Sequence, residues 1–303
     1  MKFKIVSDYK EAKELWQMFS PNQCLWDLWE VRDCFIKGTN YPLYFIVGYD
    51  GDEILGILPL WYNPEQEYYS FIGDDLPEEN RLFLKDKKLI SEFLKQCPAN
   101  TYLDYLSQDD KFFFPSFKTV VHPDDCYYHL NLTDFSSFDD YLQGFSKKHR
   151  NNLKCDLNGL SAQGFTACLE NNFEENIIDI ISRYNLERFK DDSFFATPGF
   201  SKSLLNLILW AKEKGILQMV IIKKSDQIYG AQFAILYKGA YTVIMGSHDS
   251  SIKNLGKLLT VSQIKNAINL GVKEMDFMAS GEWKKMWQMS GSDVYEWDNS
   301  TSG

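Results

Sequence analysis

The sequence predicts a mixed α/β fold, an α+β arrangement with strands running both ways in one sheet, built as two tandem copies in 303 residues. Three observations carry this. Tyr241–Met245, Asn254–Leu270 and Val272–Met278 alternate as strand, helix and strand, a βαβ unit closed by Gly271. Two apolar hairpins, Leu43–Gly48 with Ile54–Trp61 and Leu217–Lys223 with Ile228–Tyr237, stand far apart in the chain. Finally, three landmarks recur. Glu53-Ile54-Leu55-Gly56 parallels Gln227-Ile228-Tyr229-Gly230, Tyr69–Gly73 parallels Thr242–Gly246, and Leu103–Leu106 parallels Met275–Met278, at offsets of 174, 173 and 172.

Taken in order, Asp8 and Glu11 have capping-box spacing ahead of a stripe of Ala12, Leu15, Trp16 and Phe19 that stops at Ser20-Pro21. A second helix is expected over Leu25–Lys37, ending at Gly38, and Asp50-Gly51 marks the first hairpin turn, since it tolerates positive φ. Tyr68–Ile72 continues the meander. A helix near Lys87–Gln96 and strands at Thr101–Leu106, Lys118–Val121 and Tyr127–Leu132 follow, with Pro115 and Pro123 as breaks. From Ser136 a single long helix is expected, with Phe138, Leu142, Phe145, His149, Leu153, Leu157 and Leu160 spaced by three or four. Then come a strand at Phe165–Leu169, a helix at Ile177–Phe189, and a helix to Lys214 capped by Thr197 with Pro198 in its first turn. The expected domains are 1–134 and 135–303.

The net charge of −10 opposes broad adhesion to nucleic acid, so a DNA partner is not expected and tRNA would need a local basic patch. The six cysteines form no CxxC pair, and His122, His129 and His149 have no metal spacing, so no metal is expected. No apolar run approaches membrane-spanning length and the N-terminus lacks a signal-like apolar region, which predicts no membrane span and a cytoplasmic location. GxSxG elbow and P-loop motifs are absent, which lowers hydrolase and NTPase readings. In the second βαβ unit, Asn254 is the expected N-cap, accepting from a first-turn amide, with Leu255, Leu258, Val261, Ile264 and Ile268 buried. Such a helix start favours an anion by about 0.3–1 kcal/mol from the dipole alone.

Three stretches resemble the tandem GNAT-fold proteins of the Fem-like kind, related to peptidoglycan peptide-bridge aminoacyltransferases and to the acetyltransferase domain of the CelD group. They are Phe145–Leu153 with its basic Lys147, Lys148 and Arg150; Asp249 followed by Asn254-Leu255-Gly256-Lys257-Leu258-Leu259; and Asp276-Phe277 followed by Gly281–Trp287. The hairpin at 42–62 looks like the first copy of such proteins, so the likeness spans nearly the whole chain. Acyl-CoA-binding members tend to carry a second small residue at the helix start, where this chain has Leu258.

The resemblance implies two tandem GNAT-like domains, 1–134 as a degenerate copy with a structural or acceptor-binding role and 135–303 holding the acyl-donor cleft where Met245–Asp249 parts from Phe277–Gly281. It implies an N-acyltransferase using acetyl-CoA or another acyl-CoA as co-substrate, with a small-molecule, amino-sugar or peptide amine as acceptor. Aminoacyl-tRNA as donor, or a non-catalytic ligand-binding protein, are the alternatives. His248 and Asp249 are the candidate proton acceptors, and Asn254, Leu255, Gly256 and Lys257 the candidate donor-binding segment. Arg150 and Arg188 are suited to an anionic group on either substrate, and Asp276, Trp283 and Lys284 complete the substrate-binding candidates. Each has a plainer alternative: a loop histidine, a turn cap at Asp249, a structural partner for Asp276 such as Lys284 or a backbone amide, a solvated basic face, and core packing for the tryptophans.

Overall fold

Alternating apolar strands need helices on their faces to leave water, and the chain meets that need twice. The computed structural model describes residues 1–74, 76–106, 110, 113, 118–120, 126–170, 172–279 and 281–299. Val121, His122, Pro115 and Pro123 lie outside them. The chain divides into one unit of Met1–Tyr127, Ala279–Glu282 and Gly291–Gly303 and another of Tyr128–Met278 and Trp283–Ser290. This partition differs from a single cut at 134/135, because a C-terminal strand returns to pair with strands of the first unit.

The first unit begins with β1 (Lys2–Val6), α1 (Tyr9–Phe19) and α2 (Trp29–Thr39). Asp8 accepts from the Glu11 amide at 2.8 Å, as the capping pattern predicts. The expected Leu25–Lys37 helix is in fact a 3₁₀ turn at Leu25–Asp27 and then α2, which runs past Gly38 to a left-handed Asn40 (φ 60°). The break lies where the Asp27 side chain accepts from the Gln23 and Cys24 amides instead of continuing a helix. A five-stranded sheet follows, with β1, β2 (Leu43–Asp50), β3 (Glu53–Asn63) and β4 (Tyr68–Phe71) in order, and β5 (Phe83–Leu84) also on β3. α3 (Ile90–Leu94) is short because Pro98 follows closely and disfavours helical backbone at Cys97. β6 (Tyr102–Leu103) and β7 (Lys118–Val120) flank the last strand, β15 (Val294–Asp298), so only part of the expected Thr101–Leu106 strand forms.

The second unit carries β8 (Tyr127–Asn131), α4 (Phe138–Gln143), α5 (Lys147–Ala162), β9 (Phe165–Leu169), α6 (Asn176–Phe189), α7 (Phe200–Glu213), β10 (Leu217–Lys224), β11 (Gln227–Tyr237), β12 (Ala240–His248), α8 (Leu255–Asn269), β13 (Glu274–Ala279) and β14 (Ser290–Ser292). Their sheet runs β14-β8-β13-β12-β11-β10-β9. The single long helix expected from Ser136 is two helices. Ser146 takes extended backbone and accepts from the His149 amide at 3.2 Å, starting a new helix. The expected Thr197 cap is displaced likewise: α7 starts after Gly199, at φ 77°.

One face of this sheet packs Leu160, Phe165, Val220 and Ile222 against Leu255 and Leu259 of α8. On the other face Phe233 meets Phe173, ring centroids 5.8 Å apart. The α8 stripe is broader than periodicity implies, with Thr260, Gln263 and Asn266 buried as well. Their polar atoms are satisfied. Gln263 donates to the Gln232 carbonyl at 3.0 Å, and Asn266 to the Tyr241 hydroxyl at 3.0 Å.

Candidate functional site

β12 and β13 pair in parallel only over Ala240–Thr242 with Glu274–Asp276, then part. Beyond that point the second unit holds a cavity of about 480 Å³, walled by the C-terminal half of β12, the start of α8, the end of α6 and the Glu282–Trp287 turn. Its lining includes Arg188, His248, Asn254, Gly256, Lys257 and Trp283 from the sequence-derived candidates.

Asn254 sits at the N-cap position of α8, but in left-handed backbone (φ 72°) and without a side-chain cap bond. The capping role assigned to its side chain is therefore wrong, and first-turn amides are left for another partner. Leu255 is fully buried in the core, so only its backbone serves the helix start. Leu258 is half-buried and packs against that core. Lys257 reaches back to α5, its Nζ 2.5 Å from Asp156 Oδ2. Gly256 lies against the His248 ring: a Cβ there would come within 2.9 Å of Cε1.

Burial, chiefly, and the nearby Arg188 charge push the His248 pKa down to about 4, with Asp249 opposing. The imidazole is therefore neutral at neutral pH, with an acceptor nitrogen, but it is a weaker base than its ordinary value implies. Asp249 takes its plainer role. Its Oδ1 accepts from the Ser251 amide at 2.9 Å and from the Ser251 hydroxyl, stabilising the turn into α8.

Three other candidates are bound up in the framework. Arg150 donates through Nη1 to the carbonyls of Phe145 (2.5 Å) and Gln143 (3.4 Å), closing the end of α4, and it is not part of the cavity lining. Asp276 accepts from the Met278 amide at 2.7 Å, and that bond supports positive φ (61°) at Met278 where β13 turns away from β12. Lys284, 5% exposed, donates to the carbonyls of Phe277 (2.6 Å) and Met278 (3.0 Å), with its charge 5.5 Å from the Tyr128 ring centroid. Asp276 and Lys284 thus shape the parting of the strands rather than face the cavity.

Gly246 and Ser247 of the lining fall within the expected cleft strand Met245–Asp249 without being singled out, while Gln232, Thr260 and Met286 were missed. The signal was present in part: Gln232 and Gly246 interrupt otherwise apolar strands. Trp283 is exposed at the rim, whereas Trp287 is 1% exposed and packs as core. Among the described residues no cluster of three or more His, Cys, Asp or Glu side chains could hold a metal, and no helix is long and apolar enough to cross a membrane.

Residues 147–286 match the family model of the acetyltransferase (GNAT) domain. The whole chain aligns with solved structures of the same architecture. It shares 9% identity with a tandem GNAT protein from the clavulanic acid biosynthesis pathway, covering 100% of this chain and 99% of that one at a TM-score of 0.57. The fold is a tandem GNAT fold. The crystal structure of FemX aligns over 98% of this chain and 97% of its own, at 11% identity and a TM-score of 0.58. L-PGS from Bacillus licheniformis aligns over 91% and 93%, at 13% identity and 0.57. A search of curated proteins finds no match. The GNAT match covers a little less than half of the chain and points to transferase chemistry in that segment.

Proposed function

We propose that the second unit transfers an acyl group from an acyl-CoA thioester to an amine. The observation that carries this reading is the convergence of Arg188, His248 and the uncapped start of α8 on one cavity where β12 and β13 part. The helix-start amides and Lys257 suit the anionic part of the donor, and its thioester then runs toward His248. The amine nitrogen attacks the carbonyl carbon, the C–S pair leaves with sulfur, and the amine proton passes to the thiolate through His248. An anion beside Arg188 offsets the part of the imidazole's depression that comes from charge, the larger part coming from burial.

Calorimetry with acetyl-CoA and with a longer acyl-CoA tests the donor. Saturable binding is expected, and Lys257→Glu should weaken it by about tenfold or more, because it sets a second carboxylate beside Asp156. Absence of heat and of thermal stabilisation with both thioesters would remove the reading. Lys147, Lys148 and Lys154 are exposed on α5, which favours a second reading with aminoacyl-tRNA as donor. That reading requires binding that collapses between about 50 and 200 mM salt; salt-insensitive binding would argue against it.

A further inference from the structure

On the α8 side of the sheet, two polar side chains alternate with two glycines. Gly230 pairs with His248 and Gln232 pairs with Gly246, in unbroken register, so Gln232 and His248 lie on one face as diagonal neighbours. Each occupies the space its partner lacks. A Cβ on Gly230 would meet His248 Cβ at 2.7 Å, and one on Gly246 would meet Gln232 Cγ at 2.7 Å. Both residues belong to the cavity lining. The Gln232 Oε1 is buried and has no hydrogen-bond partner among the described residues. A buried amide oxygen in that state calls for a donor.

We propose that Gln232 and His248 together grip the two N–H bonds of a primary amine, which makes Gln232 the residue that selects an amine over an alcohol as acceptor. This rests on the acyl-transfer reading above. One N–H donates to Gln232 Oε1 and the other to the neutral imidazole, leaving the nitrogen lone pair free for the thioester carbonyl. As the C–N bond forms, the C–S bond breaks with its electron pair on sulfur. His248 takes its proton and returns it to the thiolate, while the Gln232-bound hydrogen stays on the product amide. An alcohol has a single O–H and leaves one of the two acceptors unmet.

The test uses the full chain saturated with CoA, titrated with phenethylamine and with phenethyl alcohol at about pH 9, where part of the amine is neutral. NMR follows the Gln232 side-chain amide and the His248 ring. Both signals should move together with phenethylamine, and phenethyl alcohol should bind about tenfold or more weakly. Gln232→Leu should erase that preference while leaving CoA binding intact. Equal binding of the two probes, no binding by either, or a preference that survives Gln232→Leu would each overturn the proposal. Failure of CoA itself to bind would instead defeat the underlying acyl-transfer reading.

Discussion

The two units repeat one hairpin and then use it for opposite ends. β2 with β3 and β10 with β11 have the same lengths, and their registers slip at corresponding places, between Gly48 and Tyr49 and between Ile222 and Lys223. The bulged residues, Leu55 and Tyr229, each accept a backbone bond of 2.9 Å from the strand alongside, from Lys85 and from Asp249. That correspondence sets Leu84 in the first unit against His248 in the second, and Leu58 against Gln232. Leu58 is fully buried in a cluster with Ile46, Ile90 and Phe93, where the second unit has its cavity. Phe93 of α3 presses on Gly48, where a Cβ would come within 2.6 Å of its ring. The same backbone thus makes a solid core with apolar side chains on that face, and a lined hollow with polar ones beside glycine.

The comparison is sharpest where a change should harm one copy only. Phe93→Ala, which opens the first unit's filled space, is expected to lower the stability of the full chain by about 3–5 kcal/mol in urea denaturation. Leu58→Gln, which gives the first copy the second copy's residue, should cost about 2–4 kcal/mol, because the amide enters an apolar core without partners. If that amide is tolerated, the two cores are less different than their packing implies.

A pH effect should belong to the second unit. The His248 pKa falls from the ordinary 6.5 to about 4 on folding. Below the ordinary value the unfolded chain binds the proton more readily, so this contribution is fully present above 6.5 and is lost as pH falls toward 4. Denaturation midpoints measured across that window should drop for the native chain and drop less for His248→Gln. The reciprocal swap, Gln232→Leu, should change stability least, within about 1 kcal/mol, since it removes a buried acceptor that has no partner.

Much of the frame was legible from residues alone. The two hairpins, the Asp8 cap and the βαβ unit are local matters, set by apolar alternation and by side chains bonding to amides a few positions away. Even the duplication showed, because the offsets near 174 preserve turn and strand spacing. Local pattern misled where two capping geometries compete: it ran one helix through Ser146, and it gave Asn254 a cap that its left-handed backbone does not make.

The division of labour among polar residues was another matter. Arg150, Asp276 and Lys284 have the chemistry of binding residues, and in sequence nothing separates them from Arg188 or His248. Whether a charge faces a cavity or a backbone carbonyl depends on how strands part and which helix covers them, and those are contacts between distant segments. By itself, then, the sequence determined the paired hairpins, the helix faces and the inventory of reactive groups, since each follows from neighbours along the chain. The fold alone decided that Gln232 and His248 share one surface beside two glycines, because strand register brings together residues that the chain keeps apart.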